Sequence, residues 1–293
     1  MITVLVTAKD SQLARCIESI SKNHPKVNFI FKSSSDLDIT KKTHVQSVFN
    51  SIKDLDYCIN CAAYTAVDKA EEDTINAYSV NVLGSKNLAE ACYEYEVTLV
   101  HISTDFVFNG TVPVPQPYSE DSNTGPLSVY GETKLKGEKV IAETIKKHFI
   151  FRTSWMFSEF GNNFLKTMLK LATERNEINV VSDQIGSPTY ARDLAKVILC
   201  FIEKEYKNYG IFHYCNRGST TWYNFAKEIF SLSQKGVKLN KVKTKDYPTL
   251  AARPKYSVLD TSKIEQTLGV TPLKWEDSLA IAISRLNKMC NPK

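Results

Sequence analysis

The sequence predicts an α/β fold, a doubly wound parallel sheet of the Rossmann type with a smaller, discontinuous mixed α/β substrate domain. Three observations carry this. Strand-length apolar runs alternate with amphipathic helical stretches through the first half of the chain. After Trp155 the elements become shorter and mixed, and no linker rich in Pro, Gly or Ser separates the two parts. The expected division is residues 1–154 for a dinucleotide-binding domain and 155–293 mainly for the substrate domain, with 191–217 returning to the first. A cleft between the two is the natural ligand site.

Strands are expected at residues 3–7, 27–32, 57–61, 98–103 and 148–153. Between the first two, "SQLARCIESIS" places Leu13, Cys16, Ile17 and Ile20 at i, i+3, i+4 and i+7, one apolar stripe of a helix. "AYSVNVLGSKNLAEACYEY" and "GETKLKGEKVIAETIKK" read as helices in the same way. Strands separated by helices imply parallel pairing through right-handed crossovers. Beyond Trp155, "NNFLKTMLKLATER", "ARDLAKVILCFIEK", "TWYNFAKEIFSLS" and a last stretch from Trp275 read as helices, with "INVV" and "GIFHYCN" as strands.

Composition excludes more than it selects. Of 293 residues, 43% are hydrophobic and 24% charged, enough for one large α/β domain or two coupled ones. The 37 basic and 32 acidic side chains leave +5, spread without the dense basic stripe of a nucleic-acid binder. "MITVLVT" enters a strand at once, and no apolar run reaches the ~18–20 residues that span a bilayer. The expectation is a cytoplasmic protein with neither a nucleic-acid nor a membrane partner. Seven cysteines, an odd number, suit a reducing compartment. Cys58 and Cys61 form a C-x-x-C, but within an apolar run their side chains fall on opposite faces of a strand, and no second pair completes a zinc site. They read as structural, and no metal site is expected.

The chemistry centres on "SVYGETKLKGE". Tyr130 and Lys134 are four apart at a helix start, hence on one face. An ammonium held beside a phenol favours phenolate and lowers a pKa that is ~10 when unperturbed, so that the hydroxyl can move a proton near neutral pH. The strand "TLVHISTDFVF" ends in Ser103, Thr104 and Asp105, at the carboxyl end where doubly wound folds bind ligands. Thr104 is placed to hydrogen-bond a carbonyl oxygen that Tyr130 protonates.

The segments "NCAAYTAVDKAEED", "NVLGSKNLAEAC", "STDFVFNG", "YGETKLKGE", "RTSWMF", "GNNF", "SDQIGSPTY" and "ARPKYSVLD" extend over about residues 56–262. In them the chain resembles the extended short-chain dehydrogenase/reductases and, within these, the dTDP-4-dehydrorhamnose reductase family. The resemblance implies hydride delivery from a reduced nicotinamide to C4 of dTDP-4-dehydro-L-rhamnose. By the same resemblance Tyr130 is the acid, Lys134 lowers its pKa and holds the nicotinamide ribose, and Thr104 bonds the keto oxygen. Ala62, Ala63 and Tyr64 would line the cofactor, Asp38 and Ile39 would lie near the adenine, and Asp105 and Trp155 near the sugar nucleotide. Arg253 would be a diphosphate partner, since a guanidinium suits phosphate oxygens.

The first turn departs from the family. Its G-x-x-G-x-x-G positions fall here on Ala8, Ser11 and Ala14. Free N–H groups and the helix dipole make most of an anion site without glycine, so residues 10–13 (Asp10, Ser11, Gln12 and Leu13) are still expected to bind the cofactor, although Asp10 is unfavourable for phosphate and Lys9 only partly offsets it. Alanine at the first position costs ~1–2 kcal/mol if that residue is left-handed. After the second strand, residues 32–35 offer a lysine and hydroxyls where an acid would grip the ribose of NAD, which points to NADPH, with NADH the lesser choice. "DKAEED" is assigned no ligand. Two alternatives stay open: a non-catalytic cofactor-binding regulatory protein, and a reductase of another nucleotide-linked keto-sugar. The oligomeric state is open too, a homodimer included.

Overall fold

The computed structural model describes residues 1–112, 114 and 116–290. Its main sheet contains β1 (Ile2–Val6), β2 (Val27–Phe31), β3 (Tyr57–Asn60), β4 (Thr98–Thr104), β5 (His148–Thr153) and an edge strand, Gly210–His213. The spatial order is Gly210–His213, β5, β4, β3, β1, β2, and every neighbouring pair is parallel. Parallel strands need crossovers, so helices cover both faces and the central strands are buried throughout. All four residues of β3 and all six of β5 are buried, so residues 57–59 and 149–151 form unbroken apolar runs rather than alternating ones.

On one face, helix α1 (Gln12–Ile20) buries Leu13, Ala14, Cys16, Ile17 and Ile20 and shares a core with the helix Ala191–Glu203. The expected stripe of α1 is the face that packs. The opposite face is closed by α2 (Lys42–Ser51) and the helices Ser85–Glu94 and Val129–Thr144. Cys58 belongs to this second core while Cys61 packs against the first, so the C-x-x-C straddles the sheet and both thiols are free. Burial pushes the Cys61 thiol up, which makes it inert.

One helix expected as continuous is interrupted. Thr74–Tyr78 and Ser85–Glu94 are joined by a wide π-type turn, Ser79–Gly84. A methyl group on Gly84 would stand 2.6 Å from the Ile39 side chain, and the extra residue swings Asn81 inward. Its side chain accepts from the Tyr64 N–H at 2.9 Å and donates to the Thr133 hydroxyl at 3.1 Å. Such turns recur at functional sites because they re-aim one side chain without breaking the helix.

The second part has its own core, built on Phe157, Leu165, Phe225, Ile229, Trp275 and Leu279. The helices Phe164–Glu174, Trp222–Leu232 and Trp275–Cys290 surround it, with Glu177–Val181 paired in parallel to Lys238–Val242. Among the described residues no helix is long and apolar enough to cross a membrane.

Candidate active site

The helix Val129–Thr144 opens on Ser128, whose hydroxyl accepts from the Gly131 N–H at 3.2 Å. A Cβ on Gly131 would lie 2.3 Å from the Phe106 carbonyl, so only glycine lets the helix start against the turn that follows β4. That contact sets Tyr130 over the end of β4, its ring edge-on to Phe106 with centroids 5.6 Å apart. Thr104, the last residue of β4, is buried; its hydroxyl donates to Asp105 at 3.1 Å and accepts from the Phe106 N–H. Burial lifts the Asp105 carboxyl to about 6, against the Ser257 and Thr104 hydroxyls that favour its charge. One turn beyond Tyr130, Lys134 is buried and its Nζ donates to the Ile102 carbonyl at 2.6 Å.

The electrostatics correct one expectation. Burial pushes the Tyr130 phenol up to about 12, the Asp105 carboxylate adds to the rise, and the neighbouring Thr104 hydroxyl only partly opposes it. Burial also brings Lys134 down to about 8, with Glu138 acting the other way. Lys134 was expected to lower the phenol. Burial dominates here, and Lys134, whose Nζ donates to the Ile102 carbonyl of β4, is not among the groups that act on the phenol. A phenol held as O–H at neutral pH is the protonation state that an acid needs.

In the first turn Ala8 adopts φ +49°, the left-handed region that favours glycine. Ser11 sits at φ −66°, needs no glycine, and caps α1 by accepting from the Ala14 N–H at 3.3 Å. Ala14 is fully buried against the sheet. Two of the three departures are therefore compatible with the fold, and Ala8 alone carries strain. Ala8→Gly relieves about 1–2 kcal/mol of it and gives back about 0.4–1 kcal/mol through a more flexible unfolded chain. Urea unfolding should show an equal or higher midpoint for Ala8→Gly, and a loss of about 1 kcal/mol for Ala14→Gly inside the helix.

The other expected cofactor residues divide by atom. Leu13 puts its side chain into the core, leaving only its backbone N–H at the helix start. Asp10 is exposed. The Gln12 amide is tied to the second part of the chain, donating to the Met156 carbonyl at 3.4 Å and accepting from Ser158 at 3.1 Å. Asp38 is held below the usual carboxylate range by the Thr40 hydroxyl, while Ile39 is buried. Ala62 and Ala63 follow β3 half-buried, and the Tyr64 hydroxyl donates to Asp73 at 3.0 Å. A helix start with open N–H groups, small residues after β3 and hydroxyls after β2 fit a dinucleotide.

Beside Phe106 opens a cavity of about 620 Å³, lined among others by Trp155, Trp222, Asp68, Arg253 and Ser257. Trp155 is left-handed at φ +46° and stacks on Trp222, centroids 3.6 Å apart and planes at 10°. A Cβ on Gly186 would come within 2.6 Å of the Trp155 ring, so the strained indole is clamped in place. Arg253 makes a two-pronged ion pair to Asp68 at 2.6 and 3.0 Å, and Asp68 also accepts the Ala251 N–H. That pair lowers the Asp68 pKa. Asp68, to which the sequence reading gave no partner, thus ties Arg253 to the mouth of the cavity.

Several participants left no local signal in the sequence. Thr7 just past β1, Asn60 on β3 and His101 on β4 become one group only when the strands pair. Asn81 needs the π-type turn to reach inward. Trp222 sits 67 residues from Trp155 and meets it only through packing.

A parallel sheet with a helix-borne tyrosine and lysine over its carboxyl edge, a strand–turn–helix start and a second core beside a cavity suit an oxidoreductase of the Rossmann type. The model of the RmlD substrate binding domain matches residues 2–288, and the chain belongs to that family. The dTDP-4-dehydrorhamnose reductase of Aggregatibacter actinomycetemcomitans is 42% identical over 289 residues, covering 95% of this chain and 97% of that protein. The crystal structure of a dTDP-4-dehydrorhamnose reductase from Clostridium acetobutylicum superposes with a TM-score of 0.92 at 42% identity, over 98% of this chain and all of the other. The enzyme of the same name from Bacillus anthracis, crystallised in complex with NADP, gives a TM-score of 0.92 at 38% identity over 97% of this chain and 100% of that one.

Proposed function

We propose that this protein reduces the C4 keto group of dTDP-4-dehydro-L-rhamnose to dTDP-L-rhamnose with NADPH. The observation that carries the reading is the convergence of Thr104, Tyr130 and Lys134 at the carboxyl end of β4, beside a cavity of nucleotide-sugar size. NADPH, when bound, supplies the hydride. The chain supplies the rest. Thr104 and Tyr130 orient the keto oxygen, and as negative charge develops there the phenol donates its proton; an alkoxide is the stronger base, so a phenol near 12 serves. Lys134 positions the ribose. Trp155 and Trp222 wall the sugar pocket and exclude water. Arg253, pre-aimed by Asp68, binds the diphosphate.

The test is absorbance at the reduced-nicotinamide band with NADPH and the keto-sugar nucleotide. Turnover is expected; binding of NADPH without oxidation would favour the regulatory alternative instead. The Bacillus anthracis enzyme crystallised in complex with NADP supports NADPH, and Lys9 and Lys32 lie near enough to offset the Asp36 carboxylate beyond β2. Initial rates should favour NADPH over NADH, and a marked preference for NADH would sink the cofactor assignment. Arg253→Ala should raise KM for the nucleotide sugar by about 10–100-fold with a smaller effect on kcat, the cost of one charged hydrogen-bonding partner.

A further inference from the structure

The strongest unassigned feature is a buried polar chain beneath the proposed catalytic pair. Thr7 lies just past β1, Asn60 ends β3, and His101 is its direct partner on β4. All three are buried, His101 to 1% exposure. The direction of each hydrogen bond can be assigned from the fixed backbone outward. The Thr7 oxygen accepts N–H groups from Cys61 at 3.0 Å and Ala62 at 3.2 Å, so its own proton goes to Asn60 Oδ1, 2.9 Å away. That same oxygen receives the Ala62 N–H at 3.1 Å. With its oxygen end held by two donors, the Asn60 amide turns its NH₂ toward His101 Nδ1 at 3.1 Å. An NH₂ only donates, so Nδ1 accepts, and the single proton of a neutral imidazole resides on Nε2. Burial keeps this ring neutral, its pKa well below the usual value.

Nε2 is 3.2 Å from Lys134 Nζ. We infer that Asn60 fixes His101 as the Nε2–H tautomer, and that this N–H, aimed at Lys134 Nζ, makes His101 a positioning residue favouring the neutral amine over the ammonium. An amine has two N–H groups and one lone pair. One N–H reaches the Ile102 carbonyl, the other remains for a ligand hydroxyl or Tyr130, and the lone pair receives Nε2–H. An ammonium would point a third N–H at a donor.

The other charges facing this group are few. Glu138 on the same helix favours the ammonium, and its carboxylate is shared with Arg152 of β5 and Ser103 of β4. His148 of β5 acts on the imidazole. Tyr130 lies on the same helix face, and Asp105 acts on Tyr130. The inference deepens the reductase reading and rests on it for its consequence. After Tyr130 gives its proton away, an acidic Lys134 ammonium returns one to the phenolate: an Nζ–H bond breaks, an O–H bond forms, and the amine left behind is the form His101 welcomes. Solvent then reprotonates the amine.

Two measurements test it. Nitrogen-15 spectra of the unsubstituted protein, without substrate, should place the His101 proton on Nε2; a proton on Nδ1 overturns the inference whatever the activity. Carbon-13 titration of Lys134, its signal assigned by loss in Lys134→Met, should show the lysine pKa rising by about one unit in His101→Asn, a tenfold change in the amine-to-ammonium ratio. The basic limb of the kcat profile should move up with it. An unchanged or lowered lysine pKa overturns the proposal. A protein with the Nε2–H tautomer that turns over no keto-sugar would leave this inference standing and remove the reductase reading alone.

Discussion

Tyr130→Phe should lower kcat by about 10²–10⁴-fold while the binding of NADPH and of nucleotide sugar stays within a few-fold of the unsubstituted protein. The substitution deletes one oxygen and keeps the ring that packs edge-on against Phe106, so the helix start has no reason to move. Lys134 and Thr104 remain to hold ribose and keto oxygen. What disappears is the proton donor, and with it the means of neutralising charge on the C4 oxygen as hydride arrives. Single-turnover oxidation of NADPH, paired with cofactor binding by fluorescence, separates the chemical step from assembly. Near-normal rates would remove Tyr130 from its role. Lys134→Met should also weaken cofactor binding, because Nζ has a positioning task that the phenol lacks.

Glu138→Ala should destabilise the protein by about 3–5 kcal/mol, read as a lower urea midpoint. Glu138 lies two turns beyond Tyr130 and accepts both Nε and Nη2 of Arg152, at 3.0 and 2.7 Å, along with the Ser103 hydroxyl. The two side chains are 3% and 4% exposed, so removal of the carboxylate strands a guanidinium among buried groups. The Glu120 carbonyl and His213 are close to Nη1, and neither carries a compensating negative charge; the imidazole is itself pushed down to about 3 by burial and by Arg152. Glu138→Leu combined with Arg152→Leu should recover much of the loss, since two apolar groups avoid the desolvation that one orphaned charge suffers. The same carboxylate raises the pKa of Lys134, so its removal should also make the lysine less basic. One side chain therefore links the stability of the sheet to the proton affinity of the site.

The first half of the fold was legible because both of its signals are local. The strand runs expected near residues 3, 27, 57, 98 and 148 became β1 to β5 with shifts of a residue at most, since a parallel strand covered on both faces must be apolar throughout. The α1 stripe was equally plain, as Leu13, Cys16, Ile17 and Ile20 follow the helical repeat. Tyr130 and Lys134 could be paired because a helix places i and i+4 on one face. The π-type turn was not legible. Gly84 in it packs where any side chain would collide with Ile39, 45 residues away, and periodicity carries no record of such a neighbour.

By itself the sequence determined the layered α/β architecture, the helix that bears the phenol and amine, the strand end that faces them, and the small residues of the first turn. Those follow from unbroken apolar runs, from the 3.6 period of helices and from side-chain size. Tertiary structure alone decided that Ala8 is left-handed, that Asp68 holds Arg253, that Trp155 lies clamped between Trp222 and Gly186, and that burial drives Tyr130 up and Lys134 down. Each depends on atoms distant in the chain. Solvent exclusion and the pairing of Asn60 with His101 arise only when the strands meet, so no local pattern could announce them.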